Sequence, residues 1–477
     1  MSSHVTLPLW VVAVLALLAA LGAVDRLLLP GARWFLRRRV NIVLDEIGKR
    51  LDLEIRPFTL TKRQVLIDRL MYDPKVLAAA GANALERGTP REVVMADVER
   101  YAREIVPAFN AYVYFRMGYW IARRTARLLY RVRVGFTDEE GLSRVDPRST
   151  VVFVMNHRSN MDYVLVAYLA ATRTALSYAV GEWARIWPLQ TLVRAMGAYF
   201  IRRDSKDPLY RLVLERYVAM ATEGGVVQAI YPEGGLTKDG ALRAPRLGLL
   251  DYMTRSFDPK GDRDIVFIPV GINYDRTLED RSQVLALEPK ASRRGPGFAV
   301  ATFLWFLVRN LLLMARGRWY RFGYACVNFG SPLSMRAYSR ERGIDLRALP
   351  RDERFLEMEK LATTLMHSVG RVIPVLPVSL VSTALLRFPG GCCSELELKA
   401  EALRVIEELS GAGAHIYIPR ADQDYAVTVG LRMLTLRKLV SEEDGLYSPR
   451  PEELPLLRYY ANSIRHLLPE TERESPA

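Results

Sequence analysis

The segment Asn156-His157-Arg158-Ser159-Asn160-Met161-Asp162 places an imidazole and a carboxylate five positions apart. An alcohol is a poor nucleophile at neutral pH. A neutral imidazole, with an ordinary pKa of about 6.5, is the side chain best matched to taking its proton as it attacks an acyl carbon. The imidazole does this as one tautomer only, and a carboxylate on its other nitrogen both fixes that tautomer and stabilises the imidazolium that forms, as in the serine hydrolase triad. If a helix begins near Asn160, Asp162 falls in its first turn and the preceding loop can fold His157 back onto it. An aspartate there also complements the helix dipole, so the spacing alone fits a catalytic pair and an ordinary loop histidine equally well.

Two further segments carry groups suited to an anionic substrate. In Gly197-Ala198-Tyr199-Phe200-Ile201-Arg202-Arg203-Asp204 an apolar run ends in two arginines, whose planar guanidinium forks match phosphate oxygens. A surface ion-paired couple is the plainer reading of an isolated Arg-Arg. In Pro232-Glu233-Gly234-Gly235-Leu236-Thr237-Lys238-Asp239-Gly240 the paired glycines let the backbone approach a ligand closely, Glu233 can hold a hydroxyl or an arginine, and Lys238 adds positive charge. The glycine spacing and the missing Gly-Lys-Ser or Gly-Lys-Thr ending exclude a P-loop. A surface turn explains the glycines equally well.

The elements that must position these segments follow from periodicity. Short β-rich runs at Val132–Phe136, Val151–Met155, Val226–Tyr231, Ile265–Asn273 and Tyr324–Phe329 alternate with helical patterns at Met161–Ala171, Pro208–Thr222 and Pro245–Phe257. The expected fold is therefore α/β, a mostly parallel sheet flanked by helices, with its chemistry in the loops beyond the carboxyl ends of the strands. Residues 31–130 read as a helical subdomain: a helix after Thr61, a second restarted at Asp73-Pro74, a third with Thr89 as cap and Pro90 at its first position, and an aromatic-rich fourth reaching Tyr130 after a break at Pro107. Residues 131–340 then form the catalytic domain. Residues 341–477 form a C-terminal helical region, with helices near 351–370, 394–409 and 454–467 and a turn at 388–391.

The chain has 477 residues, half of them apolar, and a formal charge of +14. It can bury a large core, and it is matched to an anionic partner. The three cysteines, Cys326, Cys392 and Cys393, have no metal-ligand spacing, and no metal is expected. No basic-aromatic module marks nucleic-acid binding. Residues 1–30 are expected to be a transmembrane anchor: Leu7–Val24 is uncharged and almost wholly apolar, and Arg33, Arg37, Arg38 and Arg39 follow it. By the positive-inside rule the remainder then lies in the cytoplasm, at the inner membrane. A second apolar stretch, Phe298–Met314, contains Arg309 and fits an interfacial or a core helix.

The segments occur in an order that resembles the glycerol-3-phosphate and dihydroxyacetone-phosphate acyltransferase branch of the glycerolipid acyltransferase superfamily. Its first motif, His-x4-Asp in an Asn-His-Arg-Ser-x-x-Asp-Tyr context, is similar to Asn156–Tyr163. Its second is similar to Gly197–Arg203, its third to Tyr231–Gly240, and its fourth, a hydrophobic strand carrying proline, to Phe267–Tyr274 around Pro269. Weaker similarity falls at Ser379–Leu386 and Arg458–Leu468. The resemblance implies His157 and Asp162 as the catalytic pair, Arg202, Glu233 and Gly234 at the acceptor's phosphate site, and Pro269 on the acyl-donor side. The third motif often carries arginine where Leu236 and Lys238 stand here, which bears on the identity of the phosphorylated acceptor.

What the resemblance implies is direct acyl transfer in a ternary complex. The donor is acyl-CoA or acyl-carrier protein, the acceptor is a phosphorylated glycerol-type alcohol, the product belongs with membrane lipids, and no cofactor takes part. A hydrolase with Ser159 as nucleophile and a non-catalytic membrane adaptor are the competing expectations.

Overall fold

In the computed structural model the described residues are 57–170, 175–181, 189–202, 205–287, 322–389 and 391–469. They all fall in one compact unit, Ile55–Ala477. The expected span at Leu7–Val24 and the stretch Phe298–Met314 lie outside the described residues. Among the described residues no helix is long and apolar enough to cross a membrane.

The helical punctuation of residues 57–130 acts as read, with one shift. Helix α1 is Arg63–Met71; α2, Pro74–Arg87, starts where the Asp73 carboxylate accepts the backbone N–H groups of Lys75 and Val76 and Pro74 takes the first position. Helix α3 (Arg91–Ile105) begins one residue later than expected, so Pro90 rather than Thr89 stands at the cap and no side chain bonds there. After the break at Pro107 a π-helical turn, Val113–Gly118, runs into α4 (Tyr119–Leu129), which buries Ala122, Ala126 and Leu129.

The main sheet has the order β1-β7-β6-β2-β5-β3-β4, with β8 also paired to β6. Its strands are β1 (Arg131–Thr137), β2 (Thr150–Met155), β3 (Ser177–Val180), β4 (Tyr199–Phe200), β5 (Gln228–Ile230), β6 (Ile265–Tyr274), β7 (Tyr324–Phe329) and β8 (Leu333–Ser334). The pairs β6/β2, β2/β5, β5/β3 and β3/β4 are parallel, as is β1/β7, and β7 and β8 run antiparallel to β6. The sheet is therefore mostly parallel, and the loops after β2, β4, β5 and β6 leave one edge together.

Strand β6 is buried throughout, and its alternation sorts the two cores. Ile265 and Phe267 join the core formed with α1–α3, α6 (Pro208–Glu223) and α7 (Arg351–Arg371). Ile268, Val270, Ile272 and Tyr274 join the opposite core with α4 and α5 (Met161–Ala170). Pro269 can lie in this interior strand because it falls where the antiparallel ladder passes from β8, paired at Val266 and Phe267, to β7, paired from Val270 onward.

Strands β3 and β4 are too short to show a period and were not expected. The run expected at 226–231 contracts to β5, and the helix expected at 245–257 contracts to Gly248–Thr254. The C-terminal region also exceeds its sequence reading. Beside α7 it holds α8 (Pro377–Leu386), α9 (Glu395–Gly411), α10 (Gln423–Leu436) and α11 (Leu454–Asn462), together with a small antiparallel sheet, β10 (Val440–Glu443), β11 (Leu446–Pro449) and β9 (Cys393–Ser394). Helix α8 buries nearly every side chain, so it has no polar face from which a helical period can be read.

This region is packed onto the main sheet. The Asn273 amide donates to Pro374 O at 2.9 Å, the Asn328 amide donates to Val372 O at 2.9 Å, and the Asp275 carboxylate accepts Tyr324 N and Val378 N at 2.7 and 3.1 Å. The closest approach is at Gly240, where φ is +86° and a Cβ would lie 1.8 Å from the Tyr459 carbonyl oxygen. Gly240→Ala is expected to cost about 3 kcal/mol in denaturant unfolding, whereas Gly248→Ala, with nothing within 4 Å, is expected to be neutral or mildly stabilising.

Candidate active site

Strand β2 delivers Asn156 and His157 to the sheet edge. The Asn156 side chain replaces a backbone partner for β6: its amide donates to Ile272 O and its carbonyl accepts Ile272 N, both at 2.8 Å. It thus carries the β2/β6 ladder one residue beyond the strand and fixes where the next residue points. His157 is 2% exposed, and its Nδ1 lies 2.9 Å from Asp162 Oδ2. Because the carboxylate only accepts, Nδ1 carries the proton and Nε2 the lone pair. Nε2 is buried and has no hydrogen-bond partner among the described residues. The imidazole stacks on Tyr231 at a centroid separation of 4.1 Å and meets the Tyr163 ring edge-on at 5.4 Å.

Asp162 is fully buried and accepts from four donors. Besides His157, its Oδ2 takes Arg158 N at 2.7 Å and Ser159 N at 3.1 Å, and its Oδ1 takes the Tyr274 hydroxyl at 2.7 Å. The two readings of Asp162 from sequence therefore coexist: it organises the start of α5 and it orients the imidazole. Burial beside this carboxylate pushes the Tyr274 hydroxyl well above its ordinary range, so it stays a donor.

The third segment supports His157 from the other side. Glu233 Oε1 accepts His157 N at 2.7 Å, Glu233 Oε2 accepts Arg243 N at 3.1 Å, and Thr237 N donates to His157 O at 3.1 Å. Glu233 thus holds two backbone amides, where the sequence suggested a hydroxyl or an arginine side chain. Gly234 has φ +69°, and a Cβ there would meet the Arg246 side chain at 2.6 Å. Gly235 is buried beside it and Lys238 is exposed. The fork of Arg202 lies on the Glu104 carboxylate, with Nε and Nη2 at 2.9 and 2.6 Å. Arg203 lies outside the described residues. Pro269 is within β6, opposite Val154 and three residues short of the level at which Asn156 binds Ile272.

Sequence reasoning passed over several groups. Arg158 is 3% exposed. Its Nη1 donates to Gly240 O, its guanidinium lies 5.0 Å from the Tyr459 ring centroid, and its Nε and Nη2 have no acceptor among the described residues. Glu279 accepts the Ser159 hydroxyl at 2.7 Å and the Asn160 amide at 3.0 Å. Just beyond it, Asp280 accepts Arg437 Nη2 and the Tyr460 hydroxyl, and the Tyr459 hydroxyl lies 3.4 Å from Thr277 Oγ1. The loop after β6 and the helix α11 thus buttress the His157 loop. A density of polar residues following a buried strand was the only signal of the former, and nothing in the sequence pairs it with α11. Among the described residues no group of three or more His, Cys, Asp and Glu side chains is disposed to hold a metal ion.

Residues 134–273, which hold the buried imidazole and the aspartate five residues on, match the acyltransferase family. Residues 308–470 match the glycerol-3-phosphate acyltransferase C-terminal region.

An acyltransferase of Mycobacterium tuberculosis designated plsB1 is 30% identical over 74% of this chain and 52% of its own length. Glycerol-3-phosphate acyltransferases of Xylella fastidiosa and Xanthomonas axonopodis are 28% and 25% identical over 90% of this chain, and over 50% and 48% of their own lengths. The chain spans about half the length of these curated relatives. Among solved structures, the 1-acyl-sn-glycerophosphate (LPA) acyltransferase PlsC of Thermotoga maritima covers 64% of this chain at 14% identity and a TM-score of 0.31, with 95% of its own chain covered.

Burial raises the Glu233 carboxyl from 4.5 to about 7, against the pull of the two backbone N–H groups and Arg158. A carboxyl raised in this way binds more protons folded than unfolded. Its stabilisation is complete below the unfolded value near 4.5 and is lost as pH rises through about 7. Unfolding free energy measured by denaturant titration at steps between pH 5 and 8 is expected to fall with pH. The decline should be shallower in Glu233→Gln, which cannot titrate; the remaining slope includes Asp275, also raised to about 7 by burial. An identical slope in the variant would contradict the assignment to Glu233.

Proposed function

We propose that this protein transfers a fatty acyl group from the thioester of acyl-CoA or acyl-carrier protein to the sn-1 hydroxyl of glycerol 3-phosphate. The observation that carries the reading is the His157 imidazole: Nδ1 is held by Asp162 while the buried Nε2, bearing the lone pair, has no partner among the described residues. In the proposed step Nε2 takes the proton of the acceptor hydroxyl as its oxygen bonds to the thioester carbonyl carbon. The tetrahedral adduct then collapses with cleavage of the C–S bond, and the departing thiolate recovers the proton from the imidazolium. Asp162, held by the Tyr274 hydroxyl and two backbone amides, stabilises that imidazolium throughout. The step draws on no metal or prosthetic group.

Two observations favour transfer to an alcohol over hydrolysis through a serine. Ser159 Oγ donates to Glu279 at 2.7 Å and accepts Met161 N at 3.1 Å, so the one hydroxyl in the loop is engaged away from His157. For the acceptor's phosphate, the buried Arg158 guanidinium is a better candidate than Arg202. Two of its nitrogens have no acceptor among the described residues, while the Arg202 fork is occupied by Glu104. The apolar segment Leu7–Val24 would hold the enzyme as a single-pass protein of the inner membrane, its site on the cytoplasmic side where the lipid product belongs.

Detergent-purified protein offered labelled palmitoyl thioesters should acylate glycerol 3-phosphate in preference to dihydroxyacetone phosphate or a lysophosphatidate. His157→Ala is expected to lower the rate by about 10³-fold, and Ser159→Ala by no more than about tenfold. Release of free fatty acid that Ser159→Ala abolishes would establish the hydrolase instead. Arg158→Gln is expected to raise the KM for the phosphorylated acceptor by roughly 10- to 100-fold while leaving the KM for the thioester near its original value. Equal rises in both would assign Arg158 to loop support alone.

A further inference from the structure

The helix α4 and the turn before it present an outward face that the reaction does not use. From residue 105 to 137 the chain holds six arginines, at 116, 123, 124, 127, 131 and 133, and no lysine, aspartate or glutamate. Arg116, Arg123, Arg124 and Arg127 are exposed. Interleaved with them on the same side are Met117, Trp120, Ile121 and Leu128, exposed by 43%, 61%, 37% and 39%. The opposite side, Ala122, Ala126 and Leu129, is buried against the sheet core.

Single exposed apolar residues are ordinary on a protein surface. Four large ones on one helical face, including a tryptophan, set among arginines with no acidic neighbour in the segment, are the pattern of a helix that lies in the plane of a lipid interface. We propose that α4 rests on an anionic bilayer surface, with Trp120, Ile121, Met117 and Leu128 entering the boundary between headgroups and acyl chains. The arginine stems lie along that boundary and carry their guanidinium groups to the lipid phosphates. The Arg124 guanidinium is already 6.0 Å from the Trp120 ring centroid, so the cation and the indole share one depth. An acidic protein surface would answer the arginines but would leave the large apolar side chains unmatched.

The placement has a consequence for the site. The Tyr119 ring of α4 packs on Tyr168 of α5 at 5.8 Å, and α5 carries Asp162 in its first turn. A membrane under α4 is therefore one helix away from the His157–Asp162 pair. The surface stands on exposure and charge, and holds whether or not His157 is the base.

The test uses the full chain in a Cys392→Ser background, Cys326 and Cys393 being buried. An environment-sensitive nitrobenzoxadiazole label is placed at Ile121→Cys, or at Leu396→Cys, an exposed position on α9. Phosphatidylcholine vesicles with and without phosphatidylglycerol, carrying brominated acyl chains, then report depth at each label, which sedimentation alone would not. The expected result is a blue shift and loss of about half the emission or more at residue 121 on the anionic vesicles, with no change at residue 396. Arg123→Gln, Arg124→Gln and Arg127→Gln together should remove the response at 121. Quenching at 121 no greater than at 396 would overturn the proposal, as would a response unaffected by the three substitutions. So would an emission already blue before vesicles are added, which would mean the chain itself covers the face, or a shift produced by acidic acyl-carrier protein but not by vesicles.

Discussion

The carboxylate of Asp162 is the point on which the site is built. Fully buried, it gathers the imidazole of His157, the backbone N–H groups of Arg158 and Ser159, and the hydroxyl of Tyr274. A charge in such a place is tolerable only when its lone pairs are filled by donors. Those donors come from the loop after β2 and from the last residue of β6. The same four bonds that make the carboxylate tolerable therefore lock the loop to the sheet and select the Nδ1–H tautomer of His157. Asn156, bridging to Ile272 from the neighbouring position, makes the attachment rigid. Glu233 and Thr237 close the far side by binding both backbone groups of His157.

The C-terminal region is a structural partner in this arrangement. Helix α11 places the Tyr459 ring under Arg158 and its backbone against Gly240, and Asn462 donates to Asp239 O at 3.0 Å. Its Tyr460 joins Arg437, the residue after α10, on Asp280, next to the Glu279 that receives Ser159 and Asn160. The loops carrying His157, Gly240 and Glu279 are thus held together by residues more than 150 positions later in the chain. This gives a physical reason for the acyltransferase-family domain and the glycerol-3-phosphate acyltransferase C-terminal region to occur joined.

The parts legible in the sequence were those governed by local rules. Asp73-Pro74 starts α2, Val151–Met155 and Tyr324–Phe329 are strands with nearly or fully the expected bounds, and the loop after β2 does return His157 to Asp162. What escaped is what tertiary packing decides. Tyr199 and Phe200 read as part of an apolar segment and become a strand only through pairing with β3. Nothing local to Glu233 says that its oxygens will be spent on the amides of His157 and Arg243, or that Glu104, almost a hundred residues earlier, will take the fork of Arg202. Arg158, adjacent to the histidine, drew no notice because an arginine beside a catalytic loop is ordinarily solvated, whereas here it is buried between Gly240 and Tyr459.

The most direct measurement of the central claim is acyl transfer to glycerol 3-phosphate by Asp162→Asn, followed across pH beside the wild-type protein. The amide keeps the volume and one acceptor oxygen but removes the charge and, by donating to Nδ1, turns the imidazole to the other tautomer. The expected result is a folded protein whose rate has fallen by about 10³- to 10⁴-fold. A variant that transfers acyl groups at the wild-type rate would contradict the claim that the His157–Asp162 pair is the general base of this site.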